Sequence, residues 1–95
     1  MLFRSVVARY GGEEFAVVLP ETEARQAWFQ GERLRIAVEQ HSFVVEEAGK
    51  PVSLTVSLGV AALTSAMRRM EELVRDADAA LYRAKSEGRN RVLLA

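Results

Sequence analysis

Two glutamates stand beside two glycines near the start of this 95-residue chain. Gly11 and Gly12 come directly before Glu13 and Glu14. Glycine leaves the backbone bare, so that a bulky anion or base can come close to it. A carboxylate beside such a backbone can hold a hard cation such as Mg²⁺, which takes oxygen ligands and shares them with substrate phosphates. A solvated turn has the same composition, and the rest of the chain must decide between the two interpretations.

A second group of residues that could do chemistry is basic and lies near the end of the chain. Lys85, Arg89 and Arg91 cluster where a helical pattern ends. Basic side chains there complement the partial negative charge of a helix C-terminus. The alternative is a phosphate clamp, in which lysine supplies a point charge and arginine a planar fork of donors. From spacing alone both interpretations stay open.

Composition excludes several other kinds of site. The chain has no cysteine, which removes thiol catalysis, disulfides and zinc–thiolate centres. Its one histidine, His41, has no histidine or cysteine partner and is predicted to be a surface residue. Thirteen basic and thirteen acidic side chains cancel, so no overall field favours nucleic acid. No apolar run approaches the length of a membrane span.

The elements that would position the acidic pair are short and apolar. Ser5–Tyr10 and Phe15–Leu19 flank the glycines and predict a β-hairpin, with the glycines supplying positive φ in its turn. Pro20 ends the hairpin, because proline cannot donate to a strand ladder. Thr22 is the predicted N-cap of a helix that runs to about Gln40.

One face of this first helix is predicted to be apolar. Its residues recur at helical spacing and are Ala24, Ala27, Trp28, Gly31, Leu34, Ala37 and Val38. Glycine destabilises a helix by about 1 kcal/mol relative to alanine, so we expect something to pack closely against Gly31. Phe29 and Ile36 form a second stripe, which is either a wider core face or a contact with another chain. We favour the core.

Three strands and one helix are predicted downstream. They are a short strand at Phe43–Glu46, a strictly alternating strand at Val52–Ala61, a helix capped by Thr64 or Ser65 that ends near Glu87, and a closing strand at Val92–Leu94. The alternating strand carries small residues on one face, which leaves room for a helix or a ligand. Gly88 stands where a helix-terminating glycine belongs. With no linker or repeat in sight, residues 1–95 are predicted to form a single domain.

Three segments together resemble one known family. Ala8–Phe15 reads ARYGGEEF and looks like the signature of GGDEF domains in its GGEEF variant. Val56–Ala61 resembles the SIGVA strand of that family, and Ala77–Arg91 resembles its AD-x-ALY-x-AK-x-x-GRN helix and turn. The segments follow one another in the family's order and extend the match from about residue 5 to residue 94. The chain is therefore identified as a member of the GGDEF family.

The resemblance implies a diguanylate cyclase, which condenses two GTP to cyclic di-GMP and two pyrophosphates in bacterial second-messenger signalling. It implies a cytoplasmic enzyme that uses Mg²⁺, with Mn²⁺ as an alternative, and two subunits that meet head to tail with one GTP each. The implied fold is α+β, a ferredoxin-like, nucleotidyl-cyclase-type antiparallel sheet with helices on one face. No nucleic-acid partner is implied.

The resemblance also implies roles for individual residues. Gly11–Gly12 would let the hairpin backbone approach the nucleotide. Glu13 would bind the metal and help to deprotonate the attacking 3′-hydroxyl, and Glu14 would share the nucleotide-binding turn. Lys85 and Arg89 would neutralise the triphosphate. This set suits phosphoryl-type transfer, which depends on positioning and on cations near the developing charge.

The sequence departs from the family pattern in what precedes the hairpin. A full family domain begins with a central first strand and two helices, which carry an Asp that shares the metal and an Asn and an Asp that read the guanine. Asp76 and Asp78 lie in the last helix and are not expected to fill those roles. We therefore expect residues 1–95 to be a partial GGDEF domain whose isolated activity is weak or absent. The alternative function is a non-catalytic module that binds a guanine nucleotide or dimerises.

Two further expectations follow from these departures. The missing central strand would leave strand edges bare, which predicts an intertwined or strand-exchanged homodimer. Many family members carry an Arg-x-x-Asp product-binding site upstream of the signature, where this sequence has Leu2-Phe3-Arg4-Ser5. Both key positions differ, so no inhibitory product site is expected.

Overall fold

The structure is a computed structural model that describes residues 5–9, 11–44 and 49–95. In this part the chain forms two helices and six short strands. Their order is β1 (Val6–Arg9), β2 (Phe15–Val18), α1 (Ala24–Gln40), β3 (Ser42–Val44), β4 (Pro51–Ser53), β5 (Leu58–Val60), α2 (Met70–Ser86) and β6 (Val92–Leu94). The predicted α+β class is confirmed, as are the hairpin, both helices and the closing strand.

The described strands pair two by two. β1 and β2 form an antiparallel hairpin in which Arg9 lies opposite Phe15, and β3 and β4 form a second antiparallel pair. β5 and β6 are parallel, with Gly59 opposite Leu93. Parallel neighbours need a crossover connection, and α2 supplies it between these two strands.

The closest packing in the molecule is between α2 and the β5–β6 pair. Ala80 and Ala84 of α2 and Val92 of β6 are buried. A Cβ added to Gly59 would lie 2.9 Å from the Cα of Leu81, so the helix backbone rests almost on the strand. The prediction that small residues on this strand leave room for a helix is confirmed.

The first helix packs on the same pair of strands through its own glycine. A Cβ on Gly31 would lie 3.0 Å from Val92 Cγ1 and 3.6 Å from Leu58 Cδ2, which confirms the predicted close approach. Trp28 Nε1 donates a hydrogen bond to the Val92 carbonyl at 3.0 Å. Because neighbouring strand residues point to opposite faces, Leu58 meets α1 and Gly59 meets α2. The two helices therefore cover opposite faces of β5–β6, whereas the resemblance implied helices on one face.

The predicted strand at Val52–Ala61 is interrupted. β4 ends at Ser53 and pairs with β3, whereas β5 begins at Leu58 and pairs with β6. The chain must leave one pair to reach the other, and residues 54–57 make that passage outside any strand. Period-two alternation does not reveal a change of partner, so the expectation of one continuous strand was wrong.

Both helices begin later than predicted. Glu23, not Thr22, is the N-cap of α1, and its backbone N–H donates to the Gln26 side chain at 3.4 Å in a capping box. Arg69, not Thr64 or Ser65, is the N-cap of α2, where the Glu72 carboxylate accepts from the Arg68 amide at 2.7 Å. Neither helix of the described ranges is long and apolar enough to cross a membrane.

Several large apolar side chains are exposed. Phe29 and Ile36 of α1 are 53% and 39% exposed, so the expectation that they form a wider core face was wrong. On the hairpin, Val7 and Phe15 are 64% and 69% exposed. The radius of gyration is 14.6 Å, against about 12 Å for a compact domain of this length. The hairpin thus projects from the packed part of the chain rather than completing its core.

Candidate functional site

The hairpin loop is stabilised by the arginine that precedes it. Arg9 donates from Nε to the Gly11 carbonyl at 3.2 Å and from Nη2 to the Gly12 carbonyl at 2.7 Å. The Gly11 amide donates to the Glu14 carbonyl at 3.2 Å. No role is predicted for Arg9 from the sequence, although a long, donor-rich side chain two residues before a pair of glycines is a signal for such a contact.

The glycines do not act as the hairpin prediction expected. Among the described residues, the glycines with positive φ are Gly49 and Gly88, so the predicted positive φ in the hairpin turn was wrong. Five residues separate β1 from β2, and a loop of that length does not need the mirror-image turns of a two-residue hairpin. A Cβ on Gly12 would meet nothing within 4 Å, so its role is to leave open space beside the exposed Glu13.

The other loop glutamate reaches α2. Glu14 Oε1 lies 3.7 Å from Lys85 Nζ, and both side chains are about two-fifths exposed. A cavity of about 200 Å³ opens at this contact and is lined by Glu14, Asp78, Leu81, Tyr82 and Lys85. The structure therefore brings together two of the residues that sequence analysis singled out at opposite ends of the chain.

The cavity also contains residues that sequence analysis did not select. Asp78, Leu81, Tyr82 and Lys85 are spaced at i, i+3, i+4 and i+7, which places them on one face of α2. Their spacing from Lys85 was the signal in the sequence that all four residues share one surface of the helix. Asp78 is not expected from the sequence to fill the metal-binding or guanine-reading roles, and it lies in the wall of the cavity.

Two of the selected residues lie outside this cavity. Glu13 is exposed on the loop, and Arg89 is exposed in the turn that follows α2. Within the described ranges neither side chain forms an ion pair. Both charges are consequently accessible to a ligand. The product-site expectation depends on Leu2 and Ser5, and Leu2 lies outside the described residues.

The acidic loop fits a divalent cation in one way only. Among the described residues, no group of three His, Asp or Glu side chains is close enough to hold a metal ion. Mg²⁺ is usually bound by one or two carboxylates together with water and substrate phosphates. The exposed carboxylate of Glu13, beside the open space at Gly12, suits that mode. Any metal here would be held together with a phosphate ligand.

A polar cluster connects α1 to the turn that follows α2 and carries Arg89. We call it the Asn90 clamp, and its members are Glu32, Arg35, Glu39, Ser57 and Asn90. Arg35 donates to Glu32 through Nε at 2.8 Å and Nη2 at 3.2 Å, and to Asn90 Oδ1 at 3.1 Å. The hydrogen bond from Arg35 lowers the pKa of the Glu32 carboxyl, and the same bond raises the pKa of Arg35.

The lowered pKa of Glu32 predicts a pH-dependent contribution to stability. Because the folded-state pKa lies below its usual value of 4.5, the ionised form favours the folded state. This contribution is present above about pH 4.5 and is lost as the pH falls through the folded-state pKa. We expect Glu32→Gln to lower the free energy of unfolding at pH 7 and to have a smaller effect at pH 3.5. Urea unfolding at both pH values measures this, and a difference that does not shrink at low pH would contradict it.

The fold and the site together define a class: an α+β protein whose acidic hairpin loop meets the basic end of a helix. The family model described as "Diguanylate cyclase, GGDEF domain" matches residues 2–91. This chain belongs to the GGDEF family of diguanylate cyclases.

Relatives of known sequence agree with this assignment. Diguanylate cyclase A of Treponema denticola is 44% identical over 87 residues, which are 92% of this chain and 23% of that protein. The response regulator PleD of Caulobacter vibrioides is 39% identical over 85 residues, which are 90% of this chain and 19% of that protein. The chain thus spans about a fifth of the length of these curated relatives.

Solved structures agree as well. The GGDEF domain of DgcB from Caulobacter crescentus, in complex with c-di-GMP, superposes with a TM-score of 0.87 at 34% identity and covers 95% of this chain and 53% of that one. The active GGEEF domain of a diguanylate cyclase from Vibrio cholerae gives a TM-score of 0.81 at 32% identity. The match covers 96% of this chain and 56% of that one.

Proposed function

We propose that this chain is part of a diguanylate cyclase that uses Mg²⁺ to condense two GTP into cyclic di-GMP and two pyrophosphates. The observation that carries the proposal is the contact of Glu14 with Lys85. It places the end of α2 beside the GGEEF loop, so that one bound nucleotide can reach both. The family assignment supports the same activity.

Lys85 and Arg89 are the proposed triphosphate contacts. Glu14 and Lys85 lie 3.7 Å apart, and both side chains are about two-fifths exposed. An exposed ion pair contributes only about 0–1 kcal/mol to stability. A phosphate can therefore replace Glu14 as the partner of Lys85 at little cost. Arg89 adds a planar fork of donors that suits phosphate oxygens. Gly11 and Gly12 leave the loop backbone open to the nucleotide.

Glu13 is the proposed general base and metal ligand. The metal, when bound, would neutralise charge on the triphosphate. The Glu13 carboxylate accepts the proton of the attacking 3′-hydroxyl, and the 3′-oxygen bonds to the α-phosphorus of the second GTP. The bond from that phosphorus to the bridging oxygen breaks, and pyrophosphate leaves. The same step with the two nucleotides exchanged closes the ring.

This reaction requires two nucleotides and therefore two copies of the domain. We propose a homodimer, intertwined or strand-exchanged, in the cytoplasm, where GTP is supplied. The exposed apolar side chains of the hairpin, Val7 and Phe15, support a contact that covers them.

We further propose that residues 1–95 act as one partial GGDEF domain with weak or no turnover in isolation. A guanine-nucleotide-binding or dimerisation module is the alternative.

The test uses the 95-residue chain with GTP and Mg²⁺. Calorimetry measures nucleotide binding, chromatography measures cyclic di-GMP, and sedimentation measures the mass of the assembly. Product would establish the chain as a minimal cyclase. Bound GTP without product is expected of a partial domain and equally of the binding module, and absence of both would contradict the proposal. A chain that stays monomeric throughout would contradict the homodimer.

The chain offers a matched pair of lysines for testing the triphosphate contact. Lys85 lines the cavity, whereas Lys50, the only other lysine, is exposed near the β3–β4 turn. A charge-assisted hydrogen bond is worth about 1.5–3 kcal/mol, so we expect Lys85→Met to weaken GTP binding about 10- to 100-fold. Lys50→Met should leave it unchanged. Equal losses in the two variants would show that general charge, not this contact, determines affinity.

A further inference from the structure

We infer that Asn90 is a positioning residue for Arg89, and that Arg35 and Glu39 hold Asn90 in that role. The inference rests on the proposed function, in which Arg89 binds the triphosphate. Asn90 lies outside the loop and the cavity described above, and its contacts explain how it positions Arg89.

The turn that carries Arg89 has an uncommon backbone. Gly88, Arg89 and Asn90 have successive φ values of 121°, 64° and 48°. Glycine adopts positive φ readily and asparagine tolerates it, but arginine does so only when its surroundings require it. Contacts around Arg89 must therefore maintain this conformation.

The main chain of Arg89 is held on both sides. Its amide donates to the Ala84 carbonyl at 2.9 Å, which is the long bond of a Schellman helix end. Its carbonyl accepts from Arg91 Nε at 3.1 Å. Within the described ranges the Arg89 side chain makes no hydrogen bond, so the turn presents the guanidinium to solvent. The backbone of the turn therefore sets only where the Arg89 side chain begins.

Asn90 ties this backbone to distant parts of the chain. Its amide donates to Ser57 Oγ at 3.1 Å, just before β5. Its side-chain oxygen accepts from Arg35 Nη1 at 3.1 Å, and its side-chain nitrogen donates to the Glu39 carboxylate. Asparagine meets both demands because its amide offers an acceptor and a donor at once. The Asn90 clamp thus fastens the Arg89 turn to α1.

The clamp is anchored at its far end. The Arg35 side chain is only 17% exposed and forms two hydrogen bonds with Glu32, one turn earlier in α1. Glu39 lies 3.7 Å from the same guanidinium. Because α1 is itself packed on β5–β6 through Gly31, the clamp joins the Arg89 turn to a closely packed part of the fold. A preordered turn backbone leaves less conformational freedom to be lost when Arg89 binds a phosphate.

The experiment removes the clamp without removing the turn. Asn90→Gly keeps a residue that accepts positive φ and deletes the side chain, and Asn90→Asp keeps the acceptor for Arg35 but faces Glu39 with a like charge. Trp28→Phe is the control, since it deletes one long-range hydrogen bond, to Val92 in β6, and none of the bonds of the turn. Affinity for Mg²⁺–GTP and for inorganic triphosphate is measured together with amide hydrogen exchange at Arg89.

We expect both Asn90 variants to weaken GTP and triphosphate binding about 5- to 20-fold and to accelerate Arg89 amide exchange about 10-fold or more. Trp28→Phe should change neither quantity by more than about 2-fold. In Arg89→Ala, the further change Asn90→Gly should cost no additional affinity, because the group that Asn90 positions is gone.

Three results would overturn the inference. Full affinity in Asn90→Gly with a loss in Arg89→Ala would do so while leaving the proposed function intact. An equal loss in Trp28→Phe would reduce Asn90 to a general structural role. Full affinity in Arg89→Ala would remove Arg89 from the proposed function, and the inference would fall with it.

Discussion

Alanine at position 59 is expected to lower the free energy of unfolding by about 3 kcal/mol or more. The added Cβ would overlap the Ala77 carbonyl oxygen and the Leu81 amide nitrogen, and would lie 2.9 Å from the Leu81 Cα. These are backbone atoms of a helix, which cannot rotate away as a side chain can. Overpacking a core usually destabilises by about 1–3 kcal/mol. We expect about 3 kcal/mol or more here, against a total stability of about 5–15 kcal/mol for an ordinary domain.

Two other glycines provide a graded control. A Cβ on Gly31 would lie 3.0 Å from a Val92 methyl, which can shift, and the helix gains about 1 kcal/mol from alanine. A Cβ on Gly12 would meet nothing within 4 Å. Urea unfolding followed by circular dichroism should therefore rank Gly59→Ala far below the other two alanine variants in stability. If Gly59→Ala were no less stable than Gly31→Ala, the close approach of α2 to β5 would be wrong.

Wherever the wild-type protein forms cyclic di-GMP, Glu13→Gln is expected to reduce its formation about 100- to 10,000-fold. General-base and metal-ligand roles each contribute factors of this order, and glutamine keeps the shape while losing the charge and the proton acceptor. The melting temperature should not change, because Glu13 is exposed and forms no ion pair within the described ranges. Initial rates with GTP and Mg²⁺ measure the effect.

The neighbouring glutamate provides the matched control. Glu14→Gln weakens only the exposed pair with Lys85, so we expect turnover to fall by less than about 10-fold. A larger loss in Glu14→Gln than in Glu13→Gln would reverse the proposed roles of the two loop acids. Turnover that survives both changes would place the base elsewhere in the protein.

Stability and the candidate site are coupled through one helix. Leu81 presents its backbone to Gly59 and also lines the cavity with Lys85. The tight contact between Gly59 and α2 therefore also fixes the position of Lys85 relative to the hairpin loop. A variant that loosens this contact should lose nucleotide affinity before it loses its secondary structure.

Local patterns predicted the elements well and their limits less well. The hairpin, both helices and the closing strand follow from periodicities within each segment, and Gly88 at the end of α2 has the positive φ expected of a helix-terminating glycine. The break at residues 54–57 was missed because alternation continues through it while the pairing partner changes. The late start of α2 was missed because its N-terminal contacts come from Glu72 and Arg68 rather than from a Ser or Thr cap.

The sequence by itself determined the family and the chemical inventory: an acidic loop with two glycines, and a helix end with Lys85 and Arg89. Those features are local, since a motif and a helix terminus depend on neighbours along the chain. Only the tertiary structure decided that Glu14 meets Lys85, that Asp78 shares their cavity, and that Asn90 is fastened to Arg35. Each of these contacts joins segments far apart in sequence, so no local preference along the chain reveals it. The packing of α1 on β5–β6 brings Arg35 to Asn90.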